Sequence, residues 1–96
     1  MGAGKWTFLS NHGRVFLYLA RNSSSTTEKI SRDVGLSLRG VQKIIAEMEE
    51  DGYVTHQKVG RCNHYIVHPD KPMRHRLEQN HTVGDILLGL DDNNPS

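Results

Sequence analysis

Apolar positions recur at helical spacing through the first half of this chain and then switch to strand-like alternation. Over residues 11–21, Val15, Phe16 and Leu19 form one face, and Leu17, Tyr18 and Ala20 make the segment apolar nearly all round. A helix of that kind is usually buried on more than one side. Ser10 stands where its N-cap belongs. Asn22-Ser23-Ser24-Ser25 reads as a loop with room for a short strand. Thr26 or Thr27 caps a second helix to about Val34, with Glu28 favourable in its first turn and Ile30 and Val34 facing inward at i,i+4. Gly35 can end that helix in the left-handed conformation. Leu36 tucks into the corner and Ser37 caps a third helix. There Val41, Ile45 and Met48 share a stripe, with Ile44 beside it, and Asp51-Gly52 closes the helix. Val54–Val59 and Asn63–Val67 then alternate as two strands around Gly60-Arg61, a hairpin with glycine at its tip.

The remainder is less regular. Pro69 and Pro72 interrupt the pattern, and Pro72 is placed as the first residue of a helix to about Gln79. Thr82-Val83-Gly84-Asp85 resembles a capping box with Asp in place of Glu. It opens a final short helix with Val83, Ile86, Leu87 and Leu90 on one side. From Asp91 onward the chain is polar and expected to fray. No internal repeat or linker is visible, so residues 1–96 read as one domain.

Composition adjusts this picture in two places. A hydrophobic content of 35% and a mean hydropathy of −0.60 are low for a self-sufficient globule, which points to apolar surface shared with a second copy. No run is long enough to span a bilayer, and Met1-Gly2-Ala3-Gly4-Lys5-Trp6 lacks the apolar stretch of a secretory signal. The single cysteine, Cys62, fits a reducing compartment. A cytoplasmic, nucleoid-associated protein is the expectation.

The net charge of +1 conceals a sharp division along the chain. Residues 1–46 hold seven Lys and Arg against two acids, and Glu47, Glu49, Glu50 and Asp51 follow within five residues. Removing the apolar stripe from the third helix leaves Leu38, Arg39, Gln42, Lys43 and Ala46 on its outer face, with the acids only afterwards. That order opposes the helix dipole, which favours acids first and bases last. A helix whose N-terminal half meets a polyanion accounts for it. Arg39 suits a bidentate grip on guanine and Gln42 suits adenine, each worth about 1–3 kcal/mol of discrimination. Leu38 suits a thymine methyl and Lys43 a phosphate. The Ser37 hydroxyl and the neighbouring free N–H groups suit another phosphate. On the hairpin, Lys58, Arg61 and His64 are interleaved with Gln57 and Asn63. Gly60-Arg61 places a guanidinium where it can enter a narrow minor groove. Tyr65 and Val67 are expected to pack inward.

Residues 8–90, and most specifically Lys29–Val67, resemble the winged helix-turn-helix regulators of bacteria and archaea, in the broad group of MarR-like and ArsR-like repressors. The carriers are Gly35-Leu36-Ser37 at the turn, Val41, Ile45 and Met48 in the core, Asp51-Gly52-Tyr53-Val54 leading into the wing, then Gly60-Arg61 and His64-Tyr65. The resemblance implies an α+β fold, mainly α, with a two-stranded β-hairpin wing and flanking dimerisation helices. Its reading unit is residues 28–68. It also implies a homodimer whose third helices enter successive major grooves of a pseudo-palindromic operator. Two positions depart from the pattern. Ser31 replaces a frequent Ala, and Gly40 sits inside the third helix at a typical cost of about 0.5–1 kcal/mol against Ala. Independently, the chain ends carry spare apolar residues. Trp6, Phe8 and Leu9 precede the first helix, and Ile86, Leu87 and Leu90 have no core left to fill. The flanks 6–21 and 72–90 are therefore expected to form the dimer contact.

Other chemistries are weaker. Six histidines and the Cys62-x-His64 pair invite a metal-responsive repressor, and His56, His64 and His68 could approach one another across the hairpin. Yet no His-x3-His pair lies on one helix face, so no metal or cofactor is expected. Protonated wing histidines would instead add attraction for phosphate. The other three, His12, His75 and His81, read as helix-end or surface residues. There is no glycine-rich phosphate loop and no nucleophile beside a base, so an enzyme is not expected. The serious rival is a winged helix that docks protein within a larger assembly. An effector, small molecule or metal, is not identified by the residues.

Overall fold

Three side-chain hydroxyls start the first three helices that the hydrophobic pattern predicts. In the computed structural model, which describes residues 8–90, the elements are α1 (Asn11–Arg21), β1 (Ser24–Ser25), α2 (Thr27–Val34), α3 (Leu38–Glu50), β2 (Val54–Val59), β3 (Cys62–Val67) and α4 (Gly84–Gly89). Ser10 Oγ accepts from Gly13 N at 3.1 Å, Thr26 Oγ1 from Lys29 N at 3.1 Å, and Ser37 Oγ from Gly40 N at 3.0 Å. Each bond satisfies a donor that a bare helix end leaves open. Ser31, one of the two departures from the pattern the chain resembles, has a role in the turn. Its hydroxyl donates to Leu36 O at 2.5 Å, and its carbonyl accepts from Gly35 N and Leu36 N. With Gly35 at φ 76°, the serine fixes the angle at which α3 leaves α2.

The three helices close on one core. Val15, Phe16 and Leu19 of α1 meet Ile30 and Val34 of α2 and Val41, Ile44, Ile45 and Met48 of α3. Val54 and Tyr65 seal it from the sheet. The inward placement of Tyr65 agrees with the alternation, and Val67 is partly buried against the same cluster. The antiparallel sheet has the order β1-β3-β2, with β2 and β3 in register from Val54↔Val67 to Val59↔Cys62. β1 adds Ser24↔His64 and Ser25↔Asn63. A polar two-residue strand offers no hydrophobic signal; Ser25 is nevertheless buried, its hydroxyl donating to Asn22 O at 3.2 Å.

The segment after the wing corrects one expectation: no helix forms over 72–79. A helix would need the Pro72 carbonyl for a donor one turn on, but that oxygen accepts the Tyr53 hydroxyl at 2.5 Å. Pro72 forms an antiparallel bridge with Thr82, and Met73 N donates to His81 O at 2.9 Å. The apolar pair such a helix would bury is Met73 and Leu77, and Leu77 is 80% exposed. Residues 69–83 form a closed surface loop instead. Gly84 fastens its end: its N–H donates to Pro69 O at 2.8 Å, and a Cβ there would lie 2.7 Å from that oxygen. The capping box before α4 is half made. Asp85 Oδ2 accepts from Thr82 N at 3.2 Å, but no side chain caps α4 in return.

Candidate nucleic-acid interface

Helical periodicity divides α3 into two faces. The inner face is buried, and Arg39, Gln42, Lys43 and Ala46 are exposed on the other, with Leu38 at 38% exposure. Among the described residues, Arg39, Gln42 and Lys43 make no side-chain hydrogen bond or ion pair. Lys58 and Arg61 of the wing are likewise exposed and unpaired among the described residues. Gly60, at φ 63°, allows the two-residue turn that carries Arg61 at its tip. The cap bond of Ser37 leaves its residue exposed at the same end of α3 as Arg39. Gly40 lies against this cap, where a Cβ would approach Ser37 Oγ to 3.1 Å. Its bareness leaves the capping hydroxyl unobstructed.

Cross-strand pairs share a face, so the register sorts the wing residues. His64 stands opposite Gln57 and beside Ser24, whose Oγ lies 3.1 Å from His64 Nδ1. Lys58 pairs with Asn63 on the other face, where Asn63 Nδ2 donates to the Tyr65 hydroxyl at 3.0 Å. His56, opposite Tyr65, is on that inner face, so it does not join His64 on the outer one. Among the described residues, no group of three His, Cys, Asp or Glu side chains converges as a metal site would require.

Three of the four acids that follow the basic stretch have partners that the sequence did not disclose. Glu47 Oε1 is 2.7 Å from His12 Nε2 of α1. Glu49 is bonded to His56 Nδ1 of β2, and Asp51 Oδ2 is 3.1 Å from Arg74 Nη1 of the loop. The acidic end of α3 is thus tied to α1, the wing and the 69–83 loop, while its basic end is left open. The imidazole of His12 beside Glu47 holds that carboxyl below the ordinary glutamate range. A depressed folded-state value contributes stability above the ordinary pKa, and this is lost as pH falls through the folded value. Replacing Glu47 by Gln is therefore expected to flatten the acid side of the stability profile, measured by urea unfolding between about pH 6 and pH 3. A second carboxylate ties α2 to α1 at the surface. Asp33 accepts from the Tyr18 hydroxyl at 2.6 Å and from Lys29 Nζ at 2.8 Å, and the Lys29 bond is the larger cause of its lowered pKa.

The residues assigned to a dimer contact differ in exposure, and Phe8, Leu9 and Ile86 line one cleft. Trp6 lies outside the described residues. Phe8 is 94% exposed and Leu90 42%, while Leu9 and Ile86 are half-buried. Leu87 packs against the core of its own chain, as does Val83, so that part of α4 does have a core to fill. The Arg21 guanidinium donates to the Leu90 carbonyl, joining the ends of α1 and α4. No helix among the described residues is long and apolar enough to cross a membrane.

Residues 10–55 match the family model of winged helix-turn-helix DNA-binding proteins, a stretch running from the α1 cap to the start of β2. No curated protein matches the sequence. Among solved structures, the IscR protein of T. potens has the same fold, with a TM-score of 0.64 at 15% identity over 99% of this chain and 96% of that one.

Proposed function

We propose that this chain, a winged helix-turn-helix protein of the DNA-binding kind, is a sequence-specific transcriptional regulator acting as a homodimer. One observation carries the reading: Arg39, Gln42, Lys43, Lys58 and Arg61 stand exposed without internal partners, while Glu47, Glu49 and Asp51 are engaged. In this reading α3 enters the major groove. Arg39 and Gln42 read base edges, Leu38 touches a thymine methyl, and Lys43 and Ser37 hold phosphates. Arg61 enters or skirts the minor groove, with Lys58 and His64 on the flanking backbone. Phe8, Leu9, Ile86 and Leu90, with Trp6 and the outward part of Leu87, supply the contact between copies. The turn and wing residues support a reading beside MarR-like and ArsR-like repressors, working in the cytoplasm on nucleoid DNA. Its role is binding rather than catalysis.

Titrating a mixed duplex at rising salt tests the reading. Affinity should fall linearly on a log–log plot, with a slope near 0.9 for each phosphate neutralised. Lys43→Ala should weaken all sequences alike and reduce that slope by about 1 per bound copy. Absence of binding at low salt would remove the proposal. A second reading rests on Val59 and Ile66, which are exposed on the outer wing face. They suit a wing that docks protein, and such a module would give no salt-dependent duplex binding. Sedimentation across a concentration series tests the homodimer, which a monomer at every concentration would exclude.

A further inference from the structure

Behind the reading unit, α1, the last turn of α3, the 69–83 loop and α4 line an open cleft of about 710 Å³. Clefts of roughly 300–1,000 Å³ are the size that takes a small organic ligand. Its floor is apolar: Phe16 and Met48 belong to the core, and Val83 and Ile86 are half-buried above them. Tyr53 and Met73 add an aromatic and a thioether wall. The aromatic wall already holds one cation, Lys71 Nζ lying 5.6 Å from the centre of the Tyr53 ring, and thioethers adapt to irregular apolar shapes.

The charge at the rim sets the sign of the ligand. Glu47, Asp51 and Glu78 line the cleft against a single guanidinium, that of Arg74. Asp51 and Arg74 neutralise each other at 3.1 Å. Glu47 shares its charge with the His12 imidazole, while the Glu78 carboxylate has no partner among the described residues. His75, the other imidazole at the rim, accepts from Leu77 N through Nδ1 at 3.1 Å. An anionic ligand would meet uncompensated carboxylate. A positively charged one would find two carboxylates at the rim and aromatic and thioether surface below.

We propose that this cleft is a binding site for a hydrophobic organic cation, an aryl- or alkylammonium whose apolar body lies on Phe16, Met48 and Val83 and whose charge faces Glu47 and Glu78. Such a ligand touches the final turn of α3 and competes with His12 for Glu47. An effector role for it rests on the DNA-binding reading above; the site itself does not.

The test uses the full chain, without DNA, titrated with phenethylammonium, with phenethyl alcohol as the neutral analogue and 3-phenylpropionate as the anion. Calorimetry should rank the ammonium at least about tenfold tighter than the alcohol, with the anion weakest. Methyl and amide resonances of Met48, Met73 and Glu47 should move with the ammonium. Glu78→Gln should weaken it by roughly two- to fivefold, as for an exposed ion pair. Glu50→Gln, an exposed acid outside the cleft, should leave it unchanged. Equal binding of the three probes, resonance shifts confined to another surface, or equal effects of the two Gln variants would each overturn the proposal. Repeating the duplex titration with and without the ammonium separates the two readings. Cation binding without any DNA binding removes the regulator and keeps the site, whereas DNA binding without cation binding removes the site alone.

Discussion

Replacing Arg39 by alanine is expected to cost about 1–3 kcal/mol of binding to the preferred duplex, roughly five- to 150-fold, for each bound copy. The same change should lower affinity for scrambled duplexes much less, so the specificity ratio contracts. The expectation depends on what Arg39 does in the free protein. It is exposed near the start of α3 and makes no ion pair among the described residues, so its removal leaves no internal partner stranded. Folding stability should stay within about 0.5 kcal/mol, and the loss is then a loss of recognition. Competition between a selected site and a scrambled one at fixed salt is the decisive measurement. An unchanged ratio would mean that α3 is not the reading helix. Lys43→Ala, which should lower both affinities together, provides the contrast within the same helix face.

Leu19→Ala should be among the most damaging single truncations in the core, at about 2–5 kcal/mol. Leu19 is 0% exposed in the cluster shared by all three long helices and the sheet, so the surroundings must collapse from several sides to fill the space. A domain of this size has about 5–15 kcal/mol in total, and each kcal/mol lost lowers the midpoint by about 4–8 °C. Leu19→Met, which keeps most of the volume, should cost less than about 1.5 kcal/mol. Leu77→Ala, on the exposed loop, should be nearly neutral. If thermal unfolding separates Leu19→Ala from Leu77→Ala by less than about 1 kcal/mol, the core is wrongly assigned.

What the chain discloses in advance follows from the range of each interaction. Ser10, Thr26 and Ser37 cap within three residues, and Gly35 acts on its own backbone, so three helices and their boundaries were legible. Strict alternation after Gly52 similarly disclosed the wing, although β3 begins at Cys62, one residue before the expected Asn63. The helix expected from Pro72 rested on a local preference that a distant hydroxyl, that of Tyr53, overrode. β1 is two serines, invisible to any hydrophobic rule and held by pairing with residues about forty positions away. The basic face of α3 was readable because exposure follows from helical phase. The partners of its acids were not: His12 and Arg74 reach them from α1 and the loop, across 35 and 23 positions of chain. The dimer contact was argued from apolar residues thought surplus, and Leu87 shows how an element that looks surplus in sequence can be used at home.

The unequal treatment of charges along α3 has a kinetic consequence. The cations at the start of α3 and on the wing make no hydrogen bond or ion pair among the described residues, whereas Asp51 at the far end of α3 is offset by the Arg74 guanidinium, and Glu47 and Glu49 are held by imidazoles of α1 and β2. The molecule therefore carries a standing electrical asymmetry, positive where α3 begins and the wing turns. An approaching polyanion feels that asymmetry within about 10 Å at moderate ionic strength, before any side chain touches it. Encounters are then pre-turned, with the right face forward, and fewer collisions are spent on the wrong one. Salt should accordingly slow arrival more than the close fit of two surfaces alone would suggest, and the protein's orientation would be decided in flight.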